Sequence, residues 1–164
     1  MYWVNQFAGT LWSATLDGTG QQLILSGLTE PTNIALDLVT SQIYIADFQG
    51  VIERANLDGT GLETLVTGQS GAEGIALDIE AGKMYWAASG QGSIRGANLD
   101  GTGLETLISG LNDPIGVALQ IEPTEVAEPP SFVLLGVGVI GLSILRRQKR
   151  TRKRPSAGSP CFGL

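Results

Sequence analysis

The segment Ala55-Asn56-Leu57-Asp58-Gly59-Thr60-Gly61-Leu62-Glu63-Thr64-Leu65 returns almost letter for letter as Ala97-Asn98-Leu99-Asp100-Gly101-Thr102-Gly103-Leu104-Glu105-Thr106-Leu107. A more drifted copy occupies residues 14–23. The turn aspartates Asp17, Asp58 and Asp100 are thus spaced by 41 and 42 residues. That interval is the length of a four-stranded propeller blade and is far too long for a leucine-rich repeat. Repetition on this scale argues for an architecture and only weakly for an activity, because folds host sites without dictating them.

Within each period four short runs read as strands. The clearest set covers residues 42–47, 51–57, 62–66 and 73–79, each bounded by Gly, Ser, Asp or Asn. Asp17-Gly18, Asp58-Gly59 and Asp100-Gly101 are hairpin signals: the glycine takes the positive φ that a tight turn needs, and the aspartate carboxylate can accept from the backbone just ahead. Residues 27–37 recur as 110–120, with Pro31 and Pro114 at equivalent places, each ending one strand before an apolar run begins the next. About twelve strands are expected. With 23 glycines and few long helical patterns, the predicted class is all-β, a partial propeller of about three four-stranded antiparallel blades over residues 1–120.

Tyr44-Ile45-Ala46-Asp47, then residues 52–59, then Gly74-Ile75-Ala76-Leu77-Asp78 with Met84-Tyr85-Trp86, resemble the YWTD repeat, the class B repeat of low-density-lipoprotein receptors. The resemblance implies blades of a six-bladed β-propeller. The motif is incomplete: its last position is Asn5, Asp47 and Ala88 in turn, so the structural role of the motif aspartate carries over to Asp47 alone. Tyr44, Tyr85 and Trp86 occupy the motif's aromatic places.

Three blades fall short of the roughly four to eight that close a ring, and a half ring exposes open edges and an apolar flank. Three readings stay open. The chain is a piece of a longer propeller gene, or two copies pair as a homodimer to close six blades, or a three-blade arc persists alone.

After Gln120 the pattern dissolves into a proline-bearing, acidic linker, residues 121–131. Residues 132–145 follow without a charge. As a helix this run spans about 21 Å at 1.5 Å per residue, short of a hydrocarbon core of about 30 Å. Its basic flank decides the reading: Arg146, Arg147 and five further Lys or Arg up to Arg154 hold one end cytoplasmic and can snorkel to lengthen the span. A transmembrane-like helix is therefore expected at 132–145 and a basic, disordered tail at 146–164, with the blades extracytoplasmic. The order of linker, apolar run and basic end resembles the PEP-CTERM sorting signal of bacterial surface proteins, which implies an exosortase-type processing enzyme as partner. Where that signal reads Pro-Glu-Pro, this chain has Ala127-Glu128-Pro129, followed by Pro130.

Charge is divided sharply. All 16 acidic groups lie in residues 1–128 beside only Arg54, Lys83 and Arg95, while the seven other basic groups lie in residues 146–154. An acidic body repels nucleic acid, so none is expected as partner, and the basic tail is read as topogenic charge or as attraction to anionic headgroups. The chain contains no histidine, which removes the commonest general base and metal ligand. Cys161 is the single cysteine, so no disulfide framework holds the fold.

Asp58-Gly59-Thr60-Gly61 resembles a phosphate-binding loop superficially, but such a loop leads into a helix and occurs once, whereas this one recurs between strands. Asp37, Asp47 and Asp78 could form an acid and base pair for sugar hydrolysis; their regular spacing favours a role in bonding backbone donors at strand ends. No cofactor and no metal are expected, since no contiguous D-x-D-x-D-G loop occurs. Trp3, Trp12 and Trp86 are read as blade packing. The expected function is a membrane-tethered surface module that binds or scaffolds an unknown protein or glycan and is not an enzyme. The alternatives are a fragment of a propeller lyase or glycosidase, or a non-functional remnant.

Overall fold

The computed structural model describes residues 1–121. Eleven strands appear there: β1 (Tyr2–Asn5), β2 (Thr10–Ser13), β3 (Gln22–Ser26), β4 (Pro31–Asp37), β5 (Gln42–Asp47), β6 (Val51–Asn56), β7 (Glu63–Val66), β8 (Ala72–Asp78), β9 (Lys83–Ala88), β10 (Ser93–Asn98) and β11 (Glu105–Ser109). They form three meandering antiparallel sheets, β1-β2-β3, β4-β5-β6-β7 and β8-β9-β10-β11. A single 3-10 turn at Ser89–Gln91 is the one helical element among the described residues.

The sheets stack, and their sequences show why. β5 reads Gln-Ile-Tyr-Ile-Ala-Asp with almost every residue buried, because it is covered on both faces. Ile43 and Ile45 join Leu11, Leu28 and Ala55 in a core between the first and second sheets. Tyr44 and Ala46 point the other way, into a second core with Ile52, Val66, Ile75, Met84 and Trp86, between the second and third sheets. Burying each large apolar side chain contributes about 1.5–3 kcal/mol. The strand pattern is thus a stacking signal: period two survives only as a choice between two apolar neighbours.

The three sheets also share local shape. A bulge interrupts the ladder to the outer strand at Leu11/Trp12, at Ile52/Glu53 and at Ile94/Arg95, the same place in each period. Such bulges sharpen the twist that lets sheets splay around an axis. Together these features define a partial β-propeller.

The expected set of four-stranded blades needs one correction. The first sheet has three strands. Residues 114–120, which repeat the sequence of β4, form no ladder; they lie beside β8, where the Gly74 N–H donates to the Ile115 carbonyl at 3.0 Å. A Cβ on Gly74 would stand 2.7 Å from the Gly116 Cα, so a glycine is required for this approach. The strand count falls to eleven because residues 114–119 join no ladder among the described strands. No helix of the described residues is long and apolar enough to cross a membrane. The expected linker beyond Ile121, the apolar run 132–145, the basic tail and Glu128, Pro129, Pro130, Arg146 and Arg147 lie outside the described residues.

Candidate functional site

The repeated turns are built alike. The Asp58 carboxylate accepts from the Thr60 N–H at 2.9 Å and the Thr60 hydroxyl at 2.7 Å. Asp100 does the same with Thr102 at 2.9 and 2.6 Å, and Asp17 with Thr19 at 3.0 and 2.8 Å. The threonine hydroxyl, then the backbone N–H, holds Asp58 and Asp100 below the ordinary carboxylate value. Asp17, which also accepts from the Thr15 hydroxyl, is lowered to about 2. Gly18, Gly59 and Gly101 sit at φ of 83, 86 and 83°. These turns carry negative charge and spend an N–H on their own carboxylate, the opposite of an anion cradle.

What the second and third turns do face is the sheet before them. A Cβ on Gly59 would meet the Ile24 carbonyl oxygen at 2.2 Å, and one on Gly101 would meet that of Leu65 at 2.5 Å. At Gly18 there is nothing within 4 Å. The turns are therefore seats between blades.

The motif residues are distributed among the blades. Tyr44 is buried, and its hydroxyl donates to the Leu99 carbonyl of the third sheet at 3.3 Å. Arg54 donates to the same carbonyl at 3.1 Å, lies 5.9 Å from the Tyr44 ring centroid and pairs with Glu63. Asp47 is buried and accepts from the Glu30 N–H and the Gln49 N–H, both at 2.8 Å. The third sheet has Ala88 at this place, followed by the 3-10 turn; the Ser89 N–H donates to the Gly71 carbonyl at 2.9 Å, as the Phe48 N–H does to that of Glu30 at 2.9 Å. Trp86 is fully buried, and its indole N–H has no acceptor. Tyr85 lies on the opposite face of β9, over Gly96. Only Tyr44 and Trp86 share an environment, the core between the second and third sheets.

The candidate acid and base residues are likewise engaged locally. Asp37 accepts from the Val39 and Thr40 N–H groups and from the Thr40 hydroxyl at 2.8, 3.1 and 2.6 Å. Burial pushes its pKa up, but these bonds outweigh it and the net displacement is downward. Asp78 accepts from the Ala81 N–H at 2.9 Å. Among the described residues no three His, Cys, Asp or Glu side chains gather to hold a metal. An open cleft of about 360 Å³ is lined by Thr40, Ser41, Asn56, Leu57 and Asp58.

One residue that sequence reasoning passed over is Glu53. It is half-buried on the face of β6 toward the first sheet, and burial, then the Asp47 charge, raises its pKa. The available signal was positional: its counterparts are Trp12 and Arg95, so a carboxylate is foreign to that place.

The outward flanks of the stack are apolar. Trp3 and Trp12, opposite each other in the β1–β2 ladder, stack with centroids 6.4 Å apart on the face turned away from the second sheet. Leu23 continues that face. On the third sheet Tyr85, Ile94 and Ile108 play this part. Val66 is 6% exposed where a sheet covers it, and its counterpart Ile108 is 51% exposed.

In the comparisons with known proteins no family model matches the sequence, and no curated protein matches it. Solved structures do. A chain in the crystal structure of a nidogen/laminin complex is 30% identical, with a TM-score of 0.66 over 70% of this chain and 46% of that one. A functionally unknown protein from Desulfotomaculum acetoxidans DSM 771 is 18% identical, TM-score 0.55, covering 71% of this chain and 41% of that one. The computationally designed Ika4 protein is 18% identical, TM-score 0.52, covering 69% of each chain. The chain spans less than half the length of the first two. These likenesses agree with the stacked sheets: the described residues have a YWTD-like propeller fold.

Proposed function

We propose that the chain is a membrane-tethered surface protein whose propeller segment binds or scaffolds a protein or glycan and catalyses no reaction. The observation that carries this reading is the contrast between the engaged carboxylates and the unsatisfied flanks. Asp37, Asp47 and Asp78 accept from backbone N–H groups at strand ends, while Trp3, Trp12 and Ile108 offer apolar surface of the kind that marks interaction sites. The similar chain from the nidogen/laminin complex belongs to a protein assembly, which supports a binding role. Tethering rests on the apolar run 132–145 with its basic flank, and exosortase-type sorting on the PEP-CTERM resemblance around Glu128, Pro129, Arg146 and Arg147.

Expression of the full chain behind a bacterial export leader tests the tethering. The expected result is a membrane-fraction protein whose blades are digested by protease added outside the cell. Intact chain wholly in the cytoplasmic soluble fraction would overturn it. A second reading, a fragment of a propeller lyase or glycosidase, is favoured only by the raised pKa of Glu53 beside Asp47. Loss of turnover on a glycan substrate in a folded Glu53→Gln variant would establish it.

A further inference from the structure

The first sheet lacks what residues 114–120 display. In the second sheet β4 pairs with β5, with Ile34 opposite Ile45 and Ala35 opposite Tyr44. In the third, β8 pairs with β9, with Ile75 opposite Trp86 and Ala76 opposite Tyr85. β1, the counterpart of β5 and β9, pairs with β2 on one edge and with no strand on the other. Val117-Ala118-Leu119 stand in the sequence where Ile34-Ala35-Leu36 and Ile75-Ala76-Leu77 stand, and residues 115–119 form no ladder.

Within one copy the two cannot meet. Residue 115 lies against β8, and the Thr32 hydroxyl of β4 donates to the Ala72 carbonyl of β8 at 2.9 Å. β4 in turn packs beside β1. Two inner strands therefore separate the segment from the edge it matches.

The faces match as well as the edges. Trp3 is the counterpart of Trp86, and Ile108 of Val66; Trp86 and Val66 share one buried core. Gly59 and Gly101 are seated on the carbonyls of Ile24 and Leu65, while Gly18 has open space. The counterpart of Ile24 and Leu65 is Leu107, on the far flank of the stack.

We propose that two copies of this chain close a six-sheet ring, each laying residues 115–119 along β1 of the other. Every sheet then has four strands, Trp3 is covered by the other copy's Tyr85 and Ile108, and Gly18 seats on the other copy's Leu107 carbonyl. Two copies are specified by ring size, since closed propellers hold about four to eight blades and three copies would give nine. The contact occurs twice about a two-fold axis, so no uncovered flank of the stack remains to add a third copy. This goes beyond the binding role and does not depend on it.

The test uses the full chain in detergent with Cys161→Ser. Mass from light scattering over a dilution series should be twice the 17.2 kDa of one chain. Trp3→Cys and Val117→Cys variants, each purified alone and then mixed and oxidised, should form a covalent dimer, while neither alone does. Gly18→Leu should weaken the dimer at least tenfold, with Gly82→Leu, which also has nothing within 4 Å, as the control that leaves it unchanged. A monomer at all concentrations overturns the proposal. So does an open-ended series of oligomers, or a dimer that never cross-links between positions 3 and 117 and ignores Gly18→Leu.

Discussion

Three glycines in equivalent turns offer a graded experiment, because the backbone is held constant while the surroundings change. Gly18, Gly59 and Gly101 have φ between 83 and 86°. An alanine at any of them meets the left-handed penalty, about 1–2 kcal/mol. At Gly18 that is the whole cost in a single copy, since a Cβ would have nothing within 4 Å. At Gly59 the new carbon would stand 2.2 Å from the Ile24 carbonyl oxygen, and at Gly101 2.5 Å from that of Leu65. Ordinary contact begins near 3.4 Å, so the turn must lift by about 1 Å from the preceding sheet. Overpacking of this kind adds about 1–3 kcal/mol.

Gly59→Ala should therefore cost about 2–5 kcal/mol, Gly101→Ala nearly as much and Gly18→Ala about 1–2 kcal/mol. Urea unfolding followed by the fluorescence of buried Trp86 gives the measurement, performed in dilute solution where the chain is a single copy. With a slope of about 1–3 kcal/mol per molar urea, the midpoints should separate by roughly 1 M. Equal losses at all three positions would refute the idea that the turns are seats on the neighbouring sheet. At concentrations where two copies close the ring, the Gly18 variant should fall toward the Gly59 value.

Other expectations follow from single contacts. Asp47→Ala removes the buried carboxylate that accepts from the Glu30 and Gln49 N–H groups and should cost about 1–3 kcal/mol in urea unfolding, at about 0.5–1.5 kcal/mol for each lost hydrogen bond. Tyr44→Phe removes the hydroxyl from the Leu99 carbonyl and should lower stability by about 0.5–1.5 kcal/mol. Asp17 has a folded pKa of about 2 against an ordinary 3.8, so its contribution is complete above pH 4 and is lost as pH falls toward 2. In Asp17→Asn that part of the acid-unfolding profile should flatten. Glu53 runs the other way: its raised pKa means that stability is present below its ordinary 4.5 and lost as pH rises through the folded value. Glu53→Gln should raise the melting temperature at pH 7 and leave it unchanged near pH 4.

The sequence disclosed most of the strand map because stacking leaves a written trace. Residues 42–47 were legible to the residue, since Ile43 and Ile45 serve one core and Tyr44 and Ala46 the other, with Gly50 at φ 93° closing the turn beyond. Residues 51–57 and 62–66 came out one residue shorter, as Val51–Asn56 and Glu63–Val66. There the repeated turn claims Leu57 and Leu62, which a pattern of apolar letters assigns to strands. The fate of residues 114–120 was not legible, because strand identity needs a partner edge and the letters describe only the strand itself. The Glu53–Asp47 pair was hidden for a similar reason: residues six apart meet only through the β5–β6 register.

The same logic separates the positions that agree between blades from those that do not. Asp58-Gly59-Thr60-Gly61 and Asp100-Gly101-Thr102-Gly103 are identical because each performs one task, docking a turn on the sheet before it. Arg54 and its counterpart Gly96 differ, and so do their neighbours: Arg54 reaches the Leu99 carbonyl of the third sheet, whereas Gly96 lies beneath Tyr85 on an uncovered flank. If that flank is closed by the first sheet of a second copy, the group that meets Tyr85 is the stacked pair Trp3 and Trp12, and a glycine leaves room for it where an arginine would intrude. Gly96→Arg should then abolish pairing while leaving the single copy folded, its guanidinium lying over Tyr85 as Arg54 lies over Tyr44. A Gly96→Arg protein that still forms dimers, by mass and by the cross-link between positions 3 and 117, would separate the flank contact from ring closure and refute this account of why the blades differ.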